Sequence, residues 1–165
     1  MDQPLITTYA SSDKTSQYNM AVCFRDGIDI EQDYTQAFKW FCLAADQGLA
    51  LAQYNVAFFY ENGLGVIQDL SNAFKWYKIS AEQGLDISQY SLGMMYLINI
   101  KNKKDYIEAH KWLILAANQG LDEASYSLGM MYKLGLGVTK DKTEAIRWFN
   151  LASKLDLAQK ELKLI

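Results

Sequence analysis

The residues of this chain that could carry out chemistry are one histidine, two cysteines and a set of regularly spaced aspartates. A histidine that acts as a general base needs a partner to accept or orient its proton. For His110 the pattern offers no second histidine, no Ser/His/Asp order and no nearby cysteine. Phe38, Phe74 and Ile146 lie at multiples of 36 residues from it, so we expect His110 to pack among apolar side chains without a catalytic role.

The two cysteines, Cys23 and Cys42, are too few for a disulfide framework and lack the spacing of metal ligands. Cys23 corresponds to Phe59 one 36-residue step later, which indicates a position for a bulky apolar side chain. We expect two free thiols, and these agree with a reduced, cytoplasmic setting.

Four aspartates lie 36 residues apart and could suggest a metal site or a pair of catalytic carboxylates: Asp33, Asp69, Asp105 and Asp141. Equal spacing places them on successive packed helices, roughly 10 Å apart, which is too far for a shared ion. Aspartate is a strong helix N-cap, and in three cases a Glu or Gln follows three residues later, as in a capping box. We therefore expect each of these aspartates to begin a helix, and we expect no metal.

The glycine-rich sequence GLGV occurs at 63–66 and again at 135–138. A phosphate-binding loop needs a preceding strand and a following Gly-Lys-Ser/Thr, and neither context is present. These loops therefore predict turns between helices, and we expect no cofactor.

The elements that position these residues follow the same 36-residue period. All four tryptophans share it, as do four tyrosines and four small residues: Trp40, Trp76, Trp112, Trp148; Tyr18, Tyr54, Tyr90, Tyr126; Ala21, Ala57, Gly93, Gly129. In the first half of each unit, apolar residues recur at the i, i+3, i+4, i+7 spacing of an amphipathic helix, and the second half repeats the pattern with a broader apolar face. Self-similarity at such a period predicts an all-α solenoid of four helix-turn-helix repeats, with tryptophans packed between repeats.

The repeats are expected at 13–48, 49–84, 85–120 and 121–156, as one domain spanning 13–165. Residues 1–12 match no repeat position and predict an extended lead-in, whereas 157–165 predict a short, charged capping helix. Gly27, Gly63, Gly135 and Asn99 stand where the first helices end. The turns of the first and third repeats, GIDI and NIKN, lack the double glycine, which predicts an altered turn geometry there. Glycine within a helix is costly, so Gly93 and Gly129 predict a close approach by a neighbouring helix.

Composition limits the classes of function. The chain is 50% hydrophobic and 21% charged, with 16 basic and 19 acidic residues, and it lacks the basic face typical of nucleic-acid binding. No secretory signal precedes the repeats and no apolar run is long enough to span a membrane. We expect a cytoplasmic monomer without nucleic-acid or membrane partners, although secretion independent of a signal peptide is compatible with the sequence.

The stretch AQYNVAFFYENGLGVIQDLSNAFKWYKISAEQG at 52–84 resembles a Sel-1-like repeat (SLR), a subclass of tetratricopeptide-like helical repeats. The shared features are G-x-G-V, an aspartate, A-x-x-W and A-A-x-x-G at fixed spacing, and the second and fourth units match them best. The resemblance covers 13 to about 156. It implies a right-handed α/α superhelix whose first helices line a concave, protein-binding side.

On that side we predict a partner-binding groove formed by Asn19, Asn55, Phe58, Asn62, Ser91, Met94, Ser127 and Met130. The expected function is a non-catalytic adaptor that binds a protein or peptide. One alternative is an immunity-type inhibitor that sequesters a toxin domain, because the array is small, acidic and without a signal. Another is a cell-wall-fragment or β-lactam-related enzyme or binder, since some cysteine-rich relatives are linked to that chemistry. This chain lacks their cysteines and any nucleophile paired with a base.

Overall fold

The computed structural model describes residues 12–98 and 102–165, and all the regular structure in these residues is helical. The helices are α1 (Lys14–Asp26), α2 (Tyr34–Asp46), α3 (Ala50–Asn62), α4 (Leu70–Glu82), α5 (Asp86–Ile98), α6 (Lys103–Asn118), α7 (Asp122–Leu134), α8 (Lys142–Leu151) and α9 (Asp156–Leu164). The predicted all-α class is confirmed. Residues 1–11 of the expected lead-in lie outside the described residues, and so does the third inter-helix turn at 99–101.

The chain divides into two compact units, residues 1–83 and 84–165. Within the first unit, each of the helices α1 to α4 packs against the next one along the chain. The same neighbour packing joins α5 to α9 within the second unit. Each unit therefore contains two helical hairpins, whose odd-numbered helix we call the first helix and whose even-numbered helix we call the second.

The core of each unit is built largely from small side chains where helices cross. In the first unit the buried cluster is Ala21, Ala37, Phe41, Ala44, Ala45, Ala52, Val56 and Phe59. In the second unit one cluster is Ala109, Leu113, Ala116, Ala117, Ala124, Leu128, Met131 and Trp148, and another is Ala145, Phe149, Ala152 and Ala158. Trp148 belongs to the first of these clusters in the second unit, and Trp76 packs against the cluster of the first unit; each of the two clusters combines residues from both repeats of its unit.

The two helical glycines lie where a side chain would collide with the second helix of the same hairpin. A Cβ atom on Gly93 would lie 2.9 Å from Cγ of Leu113, and one on Gly129 would lie 2.5 Å from Cε1 of Phe149. Both neighbouring side chains are fully buried. The predicted close approach is therefore confirmed, and it explains why alanine, the better helix former, is absent at these positions.

The turn of the first repeat has the same backbone conformation as the glycine-rich turns. Gly27 and Asp29 have φ angles of 69° and 59°, and the matching Gly63 and Gly65 have 67° and 63°. The prediction of an altered geometry for the GIDI turn is wrong, because Asp29 itself adopts the left-handed conformation. Aspartate is one of the few side chains that tolerates this region.

Three of the four predicted N-caps are confirmed, since the side chains of Asp33, Asp69 and Asp141 accept hydrogen bonds from backbone amides in the first turns of α2, α4 and α8. The prediction for Asp105 is wrong. Helix α6 begins one turn earlier, with Asn102 as its N-cap, and Asp105 accepts a bond from the Asn102 amide as the third residue of a capping box. Asparagine caps as well as aspartate does, so the earlier start is equally well satisfied.

In the first three repeats, a buried glutamine near the start of the first helix pairs with an exposed glutamine at the end of the second helix. Nε2 of Gln83 donates to Oε1 of Gln53 at 2.6 Å, and Gln47 and Gln17, as well as Gln119 and Gln89, make the same bond. Gln53 is 4% exposed, and its own amide donates to the Ala45 carbonyl. The pairs satisfy buried amide groups that would otherwise be costly.

The last hairpin is closed by α9, which packs against α8 through Ala158. Its charged outer face agrees with the predicted terminal cap.

Candidate interaction surface

The predicted groove residues all lie on first helices: Asn19 on α1, Asn55, Phe58 and Asn62 on α3, Ser91 and Met94 on α5, Ser127 and Met130 on α7. Three of them, Phe58, Met94 and Met130, are each followed in the sequence by a second apolar residue, and the two members of each pair differ in exposure. Phe59, Met95 and Met131 are buried, at 0%, 5% and 1% exposure. Phe58 is 36% exposed, and Met94 and Met130 are half-buried. One member of each pair therefore belongs to the core, and the other reaches the surface.

In the first unit, Phe58 lies at the centre of an exposed stripe along α3. Its ring stacks on Tyr54 at a centroid distance of 6.4 Å. Leu51, two turns earlier, is 44% exposed. Asn62 is exposed, although its Nδ2 donates to the Phe58 carbonyl at 2.8 Å. This stripe combines apolar area with amide groups on one face of α3.

Asn55 lies beneath this stripe, with only 6% of its surface exposed. Its Nδ2 donates to the Leu51 carbonyl at 2.7 Å, and its Oδ1 accepts from Nη1 of Arg25 on α1 at 3.1 Å. Arg25 is also paired with Asp26 at 2.7 Å. The hydrogen bond from Arg25 lowers the pKa of Asp26, and the same bond raises the pKa of Arg25. Asn55 thus joins α3 to α1, and a partner would meet the side chains around it.

In the second unit, the stripes of α5 and α7 touch each other. Oγ of Ser127 lies 3.8 Å from Sδ of Met94 and also donates to the Glu123 carbonyl at 2.9 Å. Met130 lies one turn further along α7. The methionines are flexible and polarisable, so they can adapt to different apolar partners.

The sequence analysis missed the most exposed apolar residues of these stripes. Ile98 is 72% exposed and Leu134 is 55% exposed, and they occupy the same position in consecutive repeats. Leu51 and Ile87, at 44% and 36% exposure, form a second matched pair. The signal was the recurrence of aliphatic residues 36 apart outside the predicted core stripe.

His110 is held by a hydrogen bond and not by a catalytic partner. Its Nε2 lies 3.2 Å from the hydroxyl oxygen of Tyr132, and the two rings meet edge to face at 5.6 Å. Burial lowers the pKa of His110 below its usual value, so the neutral ring is favoured.

The cysteines are both free and half-buried, as predicted. Burial raises the pKa of the Cys42 thiol to about 11, with the charge of Asp46 adding to the effect. A thiol with such a pKa stays protonated at neutral pH and is a poor nucleophile and metal ligand.

Within the described residues, no three His, Cys, Asp or Glu side chains come close enough to hold a metal ion. Hydrogen bonds from the amides of Asn72 and Ser71 lower the pKa of Asp69, as expected of a carboxylate that caps a helix. Among residues 12–98 and 102–165, no helix has both the length and the apolar character that crossing a bilayer requires.

Comparisons with known proteins agree with this geometry. A Sel1 repeat protein from Oxalobacter formigenes has a similar structure, with a TM-score of 0.87 and 29% sequence identity over 95% of this chain. A protective antigen present in uropathogenic Escherichia coli strains, which displays an SLR fold, gives a TM-score of 0.86 and 37% identity over 93% of this chain. The chain spans 66% of the first protein and 33% of the second. The comparison with curated proteins produced no match.

The Sel1 repeat matches four consecutive segments, residues 15–49, 50–85, 86–121 and 122–157. These segments agree to within a few residues with the repeats predicted from the 36-residue period. Since they leave only the two ends unmatched, the chain belongs to the Sel1 repeat family.

Proposed function

We propose that this protein is a non-catalytic interaction module that holds a partner polypeptide against its first helices. Sel1 repeat proteins are typically protein-interaction modules. The observation that carries the proposal for this chain is that its first helices keep exposed apolar side chains at matched positions. Leu51 and Ile87 form one such pair and Ile98 and Leu134 another. Exposed apolar patches bordered by polar groups are typical of protein-binding sites.

The stripe in the first unit suits an apolar side chain of the partner. Leu51 and Phe58 are separated by two helical turns, and the exposed Phe58 ring stacks on Tyr54. A rigid aromatic ring loses little conformational entropy on binding. Asn62 on α3 and Asn19 on α1 are exposed, and their amides can bond to the backbone of the bound segment.

The surface of the second unit is broader and more adaptable. Met94 lies one turn before the exposed Ile98 on α5, and Met130 lies one turn before the exposed Leu134 on α7. Ser91 and Ser127 supply hydroxyl groups one turn before the methionines. We propose that this part of the surface accommodates a second segment of the same partner, in the cytoplasm.

The chemical groups of the described residues support a non-catalytic role. His110 is bonded to Tyr132, the Cys42 thiol is protonated at neutral pH, and the capping aspartates bind backbone amides. Reproducible hydrolysis of a β-lactam by the pure protein, abolished by a point substitution, would contradict the proposal.

The test introduces one lysine per unit on the first helices, Leu51→Lys together with Ile98→Lys. The matched control is Leu43→Lys with Leu115→Lys, at 47% and 40% exposure on second helices. Partners recovered by the unsubstituted protein are purified, and their affinities are measured by titration calorimetry. The first-helix variant should lose most of its affinity, because a partner would have to desolvate two charges, whereas the control should retain it. Equal affinity of the two variants would refute the proposed surface.

A separate measurement decides whether Phe58 serves binding or the core. The Phe58→Ser variant is unfolded in urea beside the unsubstituted protein. A surface role predicts weaker partner binding with a modest loss of stability. Loss of about 3–5 kcal/mol, the range for a fully buried phenylalanine, would assign Phe58 to the core.

A further inference from the structure

Charge is segregated between the hairpin tips of the two units. We define a tip as the ten residues that connect the first and second helices of a repeat, at 25–34, 61–70, 97–106 and 133–142. The two tips of the first unit contain six acidic residues and one basic residue. The two tips of the second unit contain six basic residues and two acidic ones. Of the basic residues, Lys101 lies outside the described residues.

The acidic tips also expose aliphatic side chains. Ile28 is 48% exposed and Ile67 is 88% exposed. Asp29 and Glu31, beside Ile28, are exposed and form no ion pair with another described residue. An exposed isoleucine beside carboxylates, as at Ile28, forms a surface with both apolar and ionic character, and Ile67 adds a second exposed apolar side chain.

The basic tips offer recesses that could receive such a surface, since two clefts lined by lysines and apolar side chains flank the tip of the fourth repeat. One, of about 280 Å³, is lined by Lys133, Lys140 and Lys142 around the apolar Leu134, Ala145 and Leu164. The other, of about 450 Å³, is lined by Lys103 with the apolar Ile107, Leu136 and Val138.

The lysines around these clefts are largely uncompensated. Lys103, Lys140 and Lys142 are exposed and make no ion pair within the described residues, whereas Lys133 is paired with Glu161. The two acidic residues of these tips, Asp105 and Asp141, accept hydrogen bonds from backbone amides at helix starts, and the basic residues of the tips outnumber them six to two.

We propose that the acidic tips of one copy of this chain dock into the lysine-lined clefts of a second copy. The complementarity is two-sided: carboxylates beside isoleucine face lysines around apolar clefts. An unrelated acidic partner would use the basic tips alone and would leave the acidic, isoleucine-bearing tips without a role. Each exposed ion pair is weak, so the association should be weak, concentration-dependent and sensitive to salt. It departs from the monomer expected from the sequence.

The proposal is tested by sedimentation velocity over a wide range of protein concentration. At low salt, the unsubstituted protein should self-associate with rising concentration. At about 1 M salt, where the Debye length is about 3 Å, the association should be lost. A protein that stays monomeric at low salt throughout the range would overturn the proposal.

Two charge variants make the test specific. Asp29→Gly with Glu31→Lys removes the net negative charge of the first tip, and Lys103→Glu with Lys140→Glu removes the net positive charge of the two later tips. Each variant alone should raise the dissociation constant for self-association about tenfold or more. An equimolar mixture should recover association between the two variants, because the unchanged acidic tips of the lysine variant can dock into the unchanged lysine-lined clefts of the other. Circular dichroism confirms that both variants are folded.

The matched control is Lys39→Glu, which reverses an exposed charge on α2 away from the tips. It should self-associate as the unsubstituted protein does. If only the lysine variant lost association, or if the mixture failed to recover it, the acidic tip would not be the occupant and the proposal would be wrong. None of the substituted residues belongs to the first-helix surface, although Leu134 lines both that surface and the smaller cleft.

Discussion

Replacing Gly65 by alanine should destabilise the protein far more than replacing Asp29, although the two residues hold the same position and a similar φ. A Cβ atom on Gly65 would lie 2.3 Å from the carbonyl carbon of Tyr34 and 2.4 Å from its oxygen. Tyr34 is the first residue of α2, so the turn of the second repeat rests directly on the backbone of the first. Asp29 belongs to the first repeat and already carries a Cβ atom.

The magnitude follows from two terms. An alanine in the left-handed region costs about 1–2 kcal/mol, and overpacking against backbone that cannot rotate away adds about 1–3 kcal/mol. Gly65→Ala should therefore cost about 2–5 kcal/mol. Asp29→Ala exchanges two non-glycine residues in one conformation and should cost about 1 kcal/mol or less.

The assay is urea unfolding followed by circular dichroism, with the slopes compared to confirm that each variant unfolds as the unsubstituted protein does. Gly137→Ala provides a replicate in the second unit, where the Cβ atom would lie 2.5 Å from Cβ of Tyr106. If Gly65→Ala proved no more costly than Asp29→Ala, the close packing of a turn on the preceding repeat would be refuted as the reason for glycine.

Three further predictions concern the half-buried His110 and Cys42 and the buried Gln53. The pKa of His110 is lowered in the folded state, so the unfolded chain binds the proton more readily and stability should fall as the pH drops below about 6.5. The free energy of unfolding, measured across this pH range, should therefore depend less on pH in His110→Phe than in the unsubstituted protein. The same pH dependence in both proteins would contradict the assignment. Cys42, with a pKa of about 11, should react with iodoacetamide more slowly at pH 8 than an unperturbed thiol, as mass spectrometry of the labelled peptide would show. Gln83→Ala should cost about 1–3 kcal/mol in urea unfolding by leaving Gln53 without its partner, and exposed Gln68→Ala is the control.

The proposed partner surface and the core use adjacent residues of the same helices. On α5, Met95 is buried while Met94 reaches the surface, and on α7 Met131 and Met130 divide in the same way. Substitutions intended to test binding should therefore be placed at Ile98 or another well exposed position, where the loss of packing is smallest.

The sequence by itself determined the repeat, the alternation of first and second helices and the reason for its small residues. These features are local or periodic: a helix needs an apolar stripe and a cap, and an exact recurrence imposes the same packing on each unit. Gly93 illustrates this, because its place on the period was enough to predict a close approach by a neighbouring helix. Whether catalytic groups assemble could not be decided in this way, since side chains distant in sequence can meet in space.

Only the tertiary structure decided which polar and apolar side chains reach the surface. Asn55 and Asn62 are the same residue type on one helix, yet Asn55 is buried against Arg25 and Asn62 is exposed. The N-cap of α6 is Asn102 and not Asp105, because either side chain can accept hydrogen bonds from the backbone amides of a first helical turn. Burial depends on what the neighbouring repeat places opposite each residue, and periodicity along a single chain does not specify those contacts.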